Sequence, residues 1–247
     1  MERAEWLKQM RERAEKLYDQ YAPLYWVSYG LGENETHREF LRKFLERVRP
    51  GGPLLSAGCG AGRYDGLLLE AGHPVVGIDQ SAGMLQRARE HFPQAQFPQL
   101  RYEKMGMQEI PFRDEFDGVI CVEALEHVCP EDYPSILKGF SQALRSEGWL
   151  YFNVDNTPSE DLMAAYQRAK DLGLPVVLGE LVDRTDEAYE KVKGLEGIPP
   201  DEWGDAAVYH FYPTLEQVRE WLAEAGLTIE AEGEGSGYYH FLARKEK

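Results

Sequence analysis

Hydrophobic residues recur at helical spacing at the start of the chain. One face of this segment carries Trp6, Met10, Leu17 and Tyr21. Charged residues occupy the opposite face, so the pattern predicts an amphipathic helix over the first twenty residues. Pro23 is predicted to end this helix. A second helix is predicted over residues 35–48. Residues 1–50 are therefore predicted to form a helical N-terminal extension.

From residue 51 onward, short apolar runs alternate with segments of helical periodicity. The predicted strands are 54–55, 74–79, 100–104, 116–122 and 149–154, and the predicted helices are 64–71, 82–91 and 134–144. Short buried strands that alternate with helices are typical of a parallel sheet covered on both faces. The alternation therefore predicts a doubly wound α/β fold.

Between residues 155 and 205 the alternation stops, and this segment holds 13 Asp and Glu against 5 Lys and Arg. The difference of −8 is half of the formal charge of −16 for the whole chain. We interpret the segment as an inserted cap, which in the simplest case is a solvated acidic face. The alternation returns with a helix over 214–225 and strands over 227–230 and 238–243. A single domain over residues 1–247 is predicted, and its parts after the extension are a core at 51–154, the cap at 155–208 and a C-terminal helix and strand pair at 209–247.

The composition is that of a globular protein, with 43% hydrophobic and 28% charged residues. No apolar run is long enough for a membrane helix, and the first residues are charged where a secretion signal is apolar. The cysteines are Cys59, Cys121 and Cys129, whose odd number and spacing indicate neither a disulfide framework nor a zinc ribbon. We therefore expect a cytoplasmic protein with no membrane partner. The negative charge also disfavours nucleic acid as a partner.

A glycine-rich loop follows the first predicted strand, in the stretch LLSAGCGAGRY. Gly58, Gly60 and Gly62 stand where the chain leaves the sheet for a helix, a place where backbone amides bind a ligand and a Cβ would obstruct it. The next strand ends at Asp79, where a carboxylate can accept both hydroxyls of a ribose. The alternative is a tight turn followed by an Asp that caps a helix.

The spacing of the glycines bears on which nucleoside the loop holds. Arg63 stands where the third glycine of a dinucleotide fingerprint would be, so the loop reads GxGxG instead of GxGxxG. A Walker loop would end in Lys followed by Ser or Thr, which are absent here. NAD and nucleoside triphosphates are therefore both disfavoured as ligands.

Six segments of the chain are informative when they are taken together. They are LLSAGCGAGR, VVGIDQSAGMLQRA, MGMQEIPF, FDGVICVEALEHV, LRSEGWLYFNV and YHFYPTLEQVREWLAEAGL. In this combination the chain resembles the class I S-adenosylmethionine-dependent methyltransferases, over residues 54–154 and again from 209 to the C-terminus. The resemblance implies a Rossmann-like, mostly parallel seven-stranded sheet with an antiparallel last strand. It also implies S-adenosylmethionine as cofactor and S-adenosylhomocysteine as product.

The resemblance further implies which residues hold the cofactor. They are Ala57, Gly58, Cys59, Gly60, Arg63, Asp79, Gln80, Met84, Gly106, Met107, Gln108, Val122 and Glu123. Arg63 would lie near the methionine carboxylate, the backbone around Glu123 near the amino group, and Asp79 near the ribose. Two positions depart from the family pattern, since Ser56 replaces an acidic residue of the first strand and Gly106 replaces an Asp before the adenine pocket. We therefore expect adenine to be held through backbone amides and packing.

Methyl transfer from a sulfonium is an in-line displacement with a neutral leaving group, so a base is needed only if the acceptor keeps a proton. The first candidate base is His127, beside Glu126 and just beyond the end of a predicted strand. The second is His210, which would face the acceptor from the cap. An ordinary packing role is the alternative for both histidines.

Aromatic residues near the end of the first helix are candidates for acceptor binding. Tyr25, Trp26 and Tyr29 fall in a predicted loop, whereas helical spacing favours a packing role for Tyr18 and Tyr21. The sequence thus predicts a methyltransferase that acts on a small-molecule acceptor at O, N or C. A catalytically idle S-adenosylmethionine-binding sensor or partner protein is the main alternative, and an NAD-dependent oxidoreductase is another. The acceptor and the oligomeric state are left open.

Overall fold

The fold is described from a computed structural model, which describes residues 1–29, 34–156, 159–183 and 208–247. Residues 184–207, a little under half of the predicted cap, lie outside the described residues, as do the side chains of Val27, Ser28 and Tyr29. In the part of the chain that is described, no helix has the length and apolar character to cross a membrane.

Seven strands of the described residues form one sheet. They are β1 (Leu54–Ala57), β2 (Val75–Asp79), β3 (Leu100–Lys104), β4 (Phe116–Cys121), β5 (Leu144–Asp155), β8 (Leu227–Gly235) and β9 (Tyr238–Lys245). Their order across the sheet is β3-β2-β1-β4-β5-β9-β8. Strands β1 to β5 are parallel, and β9 is antiparallel to both β5 and β8. The sheet therefore confirms the predicted mostly parallel, seven-stranded Rossmann-like fold with an antiparallel last strand.

Helices cover both faces of this sheet. They are α1 (Arg3–Tyr29), α2 (Glu35–Leu45), α3 (Asp65–Glu70), α4 (Ala82–His91), α5 (Tyr133–Ala143), α6 (Ser159–Asp171) and α7 (Leu215–Glu224). Because side chains alternate along a strand, Leu54 and Leu55 of β1 enter different cores. Leu55 shares a core with Phe140 of α5, and Leu54 shares the other with Phe44 of α2. The two cores thus pack helices onto both faces of the sheet.

Helix α1 departs from the prediction, because it continues through Pro23 to Tyr29. Proline lacks the N–H that would bond to the carbonyl of Asp19, and this alone would favour ending the helix. The Asp19 carboxylate, however, accepts Ser81 Oγ–H at 2.6 Å and Gly83 N–H at 2.8 Å at the start of α4. These contacts hold α1 against the start of α4 before the proline, and Trp26 packs on His91 of α4 after it. The predicted helix end at Pro23 and the loop that would follow it are therefore wrong.

A second, two-stranded sheet joins the cap to the C-terminal segment. Strand β6 (Glu180–Asp183) pairs antiparallel with β7 (Val208–Phe211). The buried Glu180 carboxylate accepts Arg3 Nη1–H at 2.6 Å, Val177 N–H at 2.7 Å and Tyr209 O–H at 2.5 Å. This carboxylate therefore connects the start of α1 to both strands of the small sheet.

Candidate active site

The carboxyl ends of β1 to β4 open onto one cavity of about 780 Å³, a volume that includes space open to solvent. It is lined by Arg11, Ala14, Tyr18, Tyr25, Gly58, Gly60, Asp79, Gln80, Met84, Met105, Gly106, Met107, Gln108, Glu123, Ala124, His127, Val128, Cys129 and Asp132. Helix α1 supplies the first four of these residues and thus covers the edge of the sheet.

The glycine loop and Asp79 lie on one side of this cavity. Asp79 Oδ2 accepts Gly60 N–H at 2.9 Å, and Asp79 Oδ1 accepts Ser81 N–H at 2.8 Å. Burial raises the pKa of Asp79 to about 6, although these two amides oppose the shift. Gly58 has φ of 63°, and a Cβ there would lie 2.6 Å from the Cβ of Ala124. The loop therefore packs directly on the segment after β4, as only glycine permits.

Five of the residues predicted to hold the cofactor are brought together. Gln80, Met84, Gly106, Met107 and Gln108 all line the cavity. The amide of Gly106 already donates to Glu109 Oε2 at 3.0 Å, within the cap of a short 3-10 turn over Met107–Glu109. This amide is therefore engaged before any ligand arrives, which leaves packing as the main contribution of Gly106.

A smaller cavity continues behind the glycine loop. It is lined by Tyr25, Ser56, Ala57, Gly58, Cys59, Arg63, Tyr64, Ile120, Val122 and Glu123. Arg63 Nη1 lies 2.7 Å from Glu123 Oε2, and Tyr64 O–H donates to Glu123 Oε1 at 3.2 Å. Two opposite charges thus face each other beside the loop, at the positions predicted for the methionine end of a cofactor.

His127 lies at the far end of the larger cavity. Its Nε2 is 2.5 Å from the hydroxyl of Tyr18, and its Nδ1 is 3.3 Å from the carbonyl oxygen of Tyr209. A carbonyl only accepts, so the proton of the neutral ring belongs on Nδ1, and Tyr18 donates to Nε2. Burial lowers the pKa of His127 to about 4, which keeps the ring neutral and leaves the lone pair of Nε2 to accept the hydrogen bond from Tyr18.

His210 does not line either cavity among the described residues. Its ring lies against that of His127, with a centroid separation of 4.8 Å. Burial lowers the pKa of His210 to about 3, with a smaller contribution from His127. The structure therefore places His210 behind His127, where it contacts the ring that faces the cavity.

The three aromatic candidates for acceptor binding are separated by the structure. All belong to α1, and only Tyr25 is described as lining the cavities. Trp26 instead stacks on His91 at the end of α4, with centroids 3.8 Å apart. The side chain of Tyr29 lies outside the described residues.

Several residues that complete the cavity were not among the site residues predicted from the sequence. Arg11 binds Asp132 through two hydrogen bonds of 2.8 Å, and both residues line the cavity. Tyr18 was expected to pack, because its helical spacing is equally typical of a core position. Met105 follows β3 directly, and that position at a carboxyl end is a signal that points to the cavity.

The sheet order with its antiparallel β9, and the glycine loop facing Asp79, are those of the class I S-adenosylmethionine-dependent methyltransferases. Residues 55–152 match the family model of the methyltransferase domain, Methyltransf_11, and this match is consistent with the class I S-adenosylmethionine-dependent methyltransferase family. The predicted family, the fold class and S-adenosylmethionine as the cofactor of the class are confirmed.

Two curated relatives are named ubiquinone biosynthesis O-methyltransferase. The protein of Albidiferax ferrireducens is 28% identical over 148 residues, which are 59% of this chain and 56% of that protein. The protein of Actinobacillus pleuropneumoniae serotype 5b is 29% identical over 185 residues, which are 70% of this chain and 74% of that protein. The chain thus spans little more than half of the first relative.

Among solved structures, the chain is similar in fold to the 1,6-didemethyltoxoflavin-N1-methyltransferase of Burkholderia thailandensis. That protein was solved with 1,6-didemethyltoxoflavin and S-adenosylhomocysteine bound. The TM-score is 0.65 at 16% identity, with 98% of this chain and 91% of that chain covered. At this identity the likeness is one of fold.

Proposed function

We propose that this protein transfers the methyl group of S-adenosylmethionine to a hydroxyl oxygen of a small-molecule acceptor. The observation that carries the proposal is the Tyr18–His127 pair, which lies in the same cavity as Asp79. An oxygen acceptor loses a proton when it is methylated, and the lone pair of the neutral His127 ring offers a place for it. The curated relatives named O-methyltransferases support the choice of oxygen.

The residues present fit the cofactor. Each oxygen of Asp79 accepts one amide, and a carboxylate has about four acceptor sites, so capacity remains for two ribose hydroxyls. Arg63 and Glu123 offer a cation and an anion to the two charges of an amino-acid tail. Gly58 brings the backbone close to the cavity without a Cβ.

When it is bound, S-adenosylmethionine supplies an electrophilic methyl group on a sulfonium. The chain itself supplies alignment and a proton acceptor. The Tyr18 hydroxyl receives the proton of the acceptor hydroxyl and passes its own proton to His127 Nε2. The carbonyl oxygen of Tyr209 holds the other ring nitrogen, Nδ1. Because α1 covers the cavity, it also restricts the access of water to the reacting groups.

Calorimetry with S-adenosylhomocysteine, beside a parallel titration with NAD, tests the cofactor first. We expect saturable one-to-one binding of S-adenosylhomocysteine and none of NAD.

A panel of phenols, alcohols and N–H heterocycles is then incubated with the protein and S-adenosylmethionine, and mass spectrometry detects the gain of one methyl group. Turnover restricted to N–H compounds would contradict the oxygen acceptor. Binding without turnover across the panel would favour a sensor, and binding of NAD alone an oxidoreductase.

A further inference from the structure

Glu123 has an unusual backbone conformation for its residue type. Its φ of 51° lies in the left-handed region, which residues other than glycine seldom adopt. Glu123 directly precedes Ala124, which packs against the glycine loop. Such a conformation persists only where surrounding contacts hold it. Those contacts come from two buried polar residues, Asn153 of β5 and His37 of α2.

The first contact fixes the orientation of Asn153. The amide of Glu123 donates to Asn153 Oδ1 at 2.8 Å. A backbone N–H can only donate, so the atom facing it must be the oxygen of the Asn153 side chain. Asn153 Nδ2 therefore points the other way, toward His37 Nε2 at 2.8 Å.

The second contact fixes the tautomer of His37. The Asn153 amide donates to Nε2, so the neutral ring carries its proton on Nδ1. Burial lowers the pKa of His37 to about 3, in keeping with a neutral ring. His37 Nδ1 is buried without a hydrogen bond of good geometry in the described part of the chain, and Glu123 Oε1 lies 3.3 Å from it. The sequence of contacts thus begins at the backbone of Glu123 and returns to its carboxylate.

The carboxylate at the end of this chain of contacts lies in the smaller cavity. There it pairs with Arg63, and the exposed fractions of the two side chains are 18% and 10%. An Arg and a Glu held side by side present opposite charges to a ligand. This arrangement matches a zwitterionic amino-acid tail, since Arg63 suits a carboxylate and Glu123 suits an ammonium group.

We propose that His37 and Asn153 are positioning residues that hold Glu123 as the anchor for the ammonium group of the cofactor tail. This inference rests on the proposed function, because it requires a cofactor with an amino-acid tail. His37 and Asn153 act through Glu123 and do not line either cavity in the described residues.

The test compares two ligands by calorimetry: S-adenosylhomocysteine, and its deaminated analogue, whose tail keeps the carboxylate and lacks the amine. We expect the wild type to prefer S-adenosylhomocysteine by about ten-fold or more, the range for one charge-assisted hydrogen bond. Glu123→Gln and His37→Phe are expected to reduce this preference to about two-fold or less. The matched control is His240→Phe. His240 is also buried, and its ring centroid lies 5.0 Å from that of His37, but its hydrogen bond goes to Tyr151 and not to Asn153 or Glu123. It is expected to keep the wild-type preference.

The outcomes separate the inference from the function on which it rests. If the wild type binds neither ligand, the proposed function fails. If it binds both equally, or if Glu123→Gln and His37→Phe keep the full preference, the inference is overturned while the cofactor assignment stands. Thermal unfolding verifies that each variant is folded. Should His37→Phe not fold, Asn153→Ser removes the amide that reaches His37, and the same loss of preference is expected.

Discussion

The hydroxyl of Tyr18 lies 2.5 Å from Nε2 of His127, although the two residues are 109 positions apart. The contact joins α1 to the segment that follows β4, and it places a phenol and an imidazole in one hydrogen-bonded pair. Helical spacing within α1 gives no indication of this pair, because the partner comes from a distant part of the chain. In the proposed function, this pair marks the end of the cavity where the acceptor binds.

Replacing His127 tests its role as proton acceptor. We expect His127→Asn to lower kcat by about a hundred-fold or more, since general-base catalysis contributes at least that much, and to change the affinity for S-adenosylhomocysteine by less than about three-fold. Tyr18→Phe is expected to lower kcat by about ten-fold. Steady-state kinetics with an acceptor from the hydroxyl panel measures both variants. Tyr21→Phe, on the same helix and outside the described lining, serves as control. An unchanged kcat for His127→Asn would remove the histidine from the mechanism.

The affinity for the cofactor is expected to depend on pH through Asp79. Ribose hydroxyls donate to an ionised carboxylate, and the pKa of Asp79 in the free protein is raised to about 6 by burial. Binding therefore weakens as the pH falls through this value, by up to about ten-fold for each further pH unit. Calorimetry with S-adenosylhomocysteine across this range measures the profile. Asp79→Asn should bind about ten-fold or more weakly at neutral pH and show no such dependence. If the affinity of the wild type and that of Asp79→Asn changed with pH in the same way, the Asp79 carboxylate would be ruled out as the source of the pH dependence.

Two glutamates that share Arg3 should differ in their effect on stability. Glu180 is buried and accepts three hydrogen bonds, whereas the side chain of Glu131 is 44% exposed. We expect Glu180→Gln to lower the free energy of unfolding by about 2–4 kcal/mol, because it breaks a buried pair. Glu131→Gln should cost about 0.5 kcal/mol or less. Urea denaturation of both variants makes the comparison, and equal losses would contradict this account of Glu180.

Glu126 should destabilise the protein at alkaline pH. Burial raises its pKa from 4.5 to about 8, and its Oε2 has no hydrogen-bond partner among the described residues. Because the folded state holds the proton more tightly than the unfolded state, the associated stability is complete below pH 4.5 and is lost as the pH rises toward 8. We expect Glu126→Gln to be more stable than the wild type by about 1–3 kcal/mol near pH 8 and nearly equal near pH 5. Urea denaturation at the two pH values checks this sign, and a variant less stable at both would contradict it.

The sheet and its loops follow from local patterns, which is why they were predictable. Strand β3 and helix α4 have the predicted bounds, and β2 differs by one residue, because period-2 runs, a Ser81 cap and glycine turns act over a few neighbours. The glycine loop and Asp79 likewise belong to adjacent elements of one βαβ unit. Their meeting at 2.9 Å therefore needed no long-range information.

The contributions of α1 were not predictable on the same basis. Pro23 gave a strong local signal for a helix end, and contacts with a helix about sixty residues further along override it. Arg11 and Trp26 find Asp132 and His91 through packing of α1 across the sheet edge. Such pairs depend on how whole elements are arranged, and neither periodicity nor motif spacing carries that information.

At Gly83, helices α1 and α4 approach to backbone distance. A Cβ at this position would lie 3.0 Å from the carbonyl oxygen of Asp19 and 3.2 Å from the Cβ of Ala22. Any larger side chain would push α1 outward, and Tyr18 and Tyr25 would move with it. Gly83 lies outside the described cavity linings, yet the absence of a side chain there lets α1 approach this closely. Variation at position 83 is therefore expected to change the width of the cleft, and with it the size of the proposed acceptor, without any change to the lining residues.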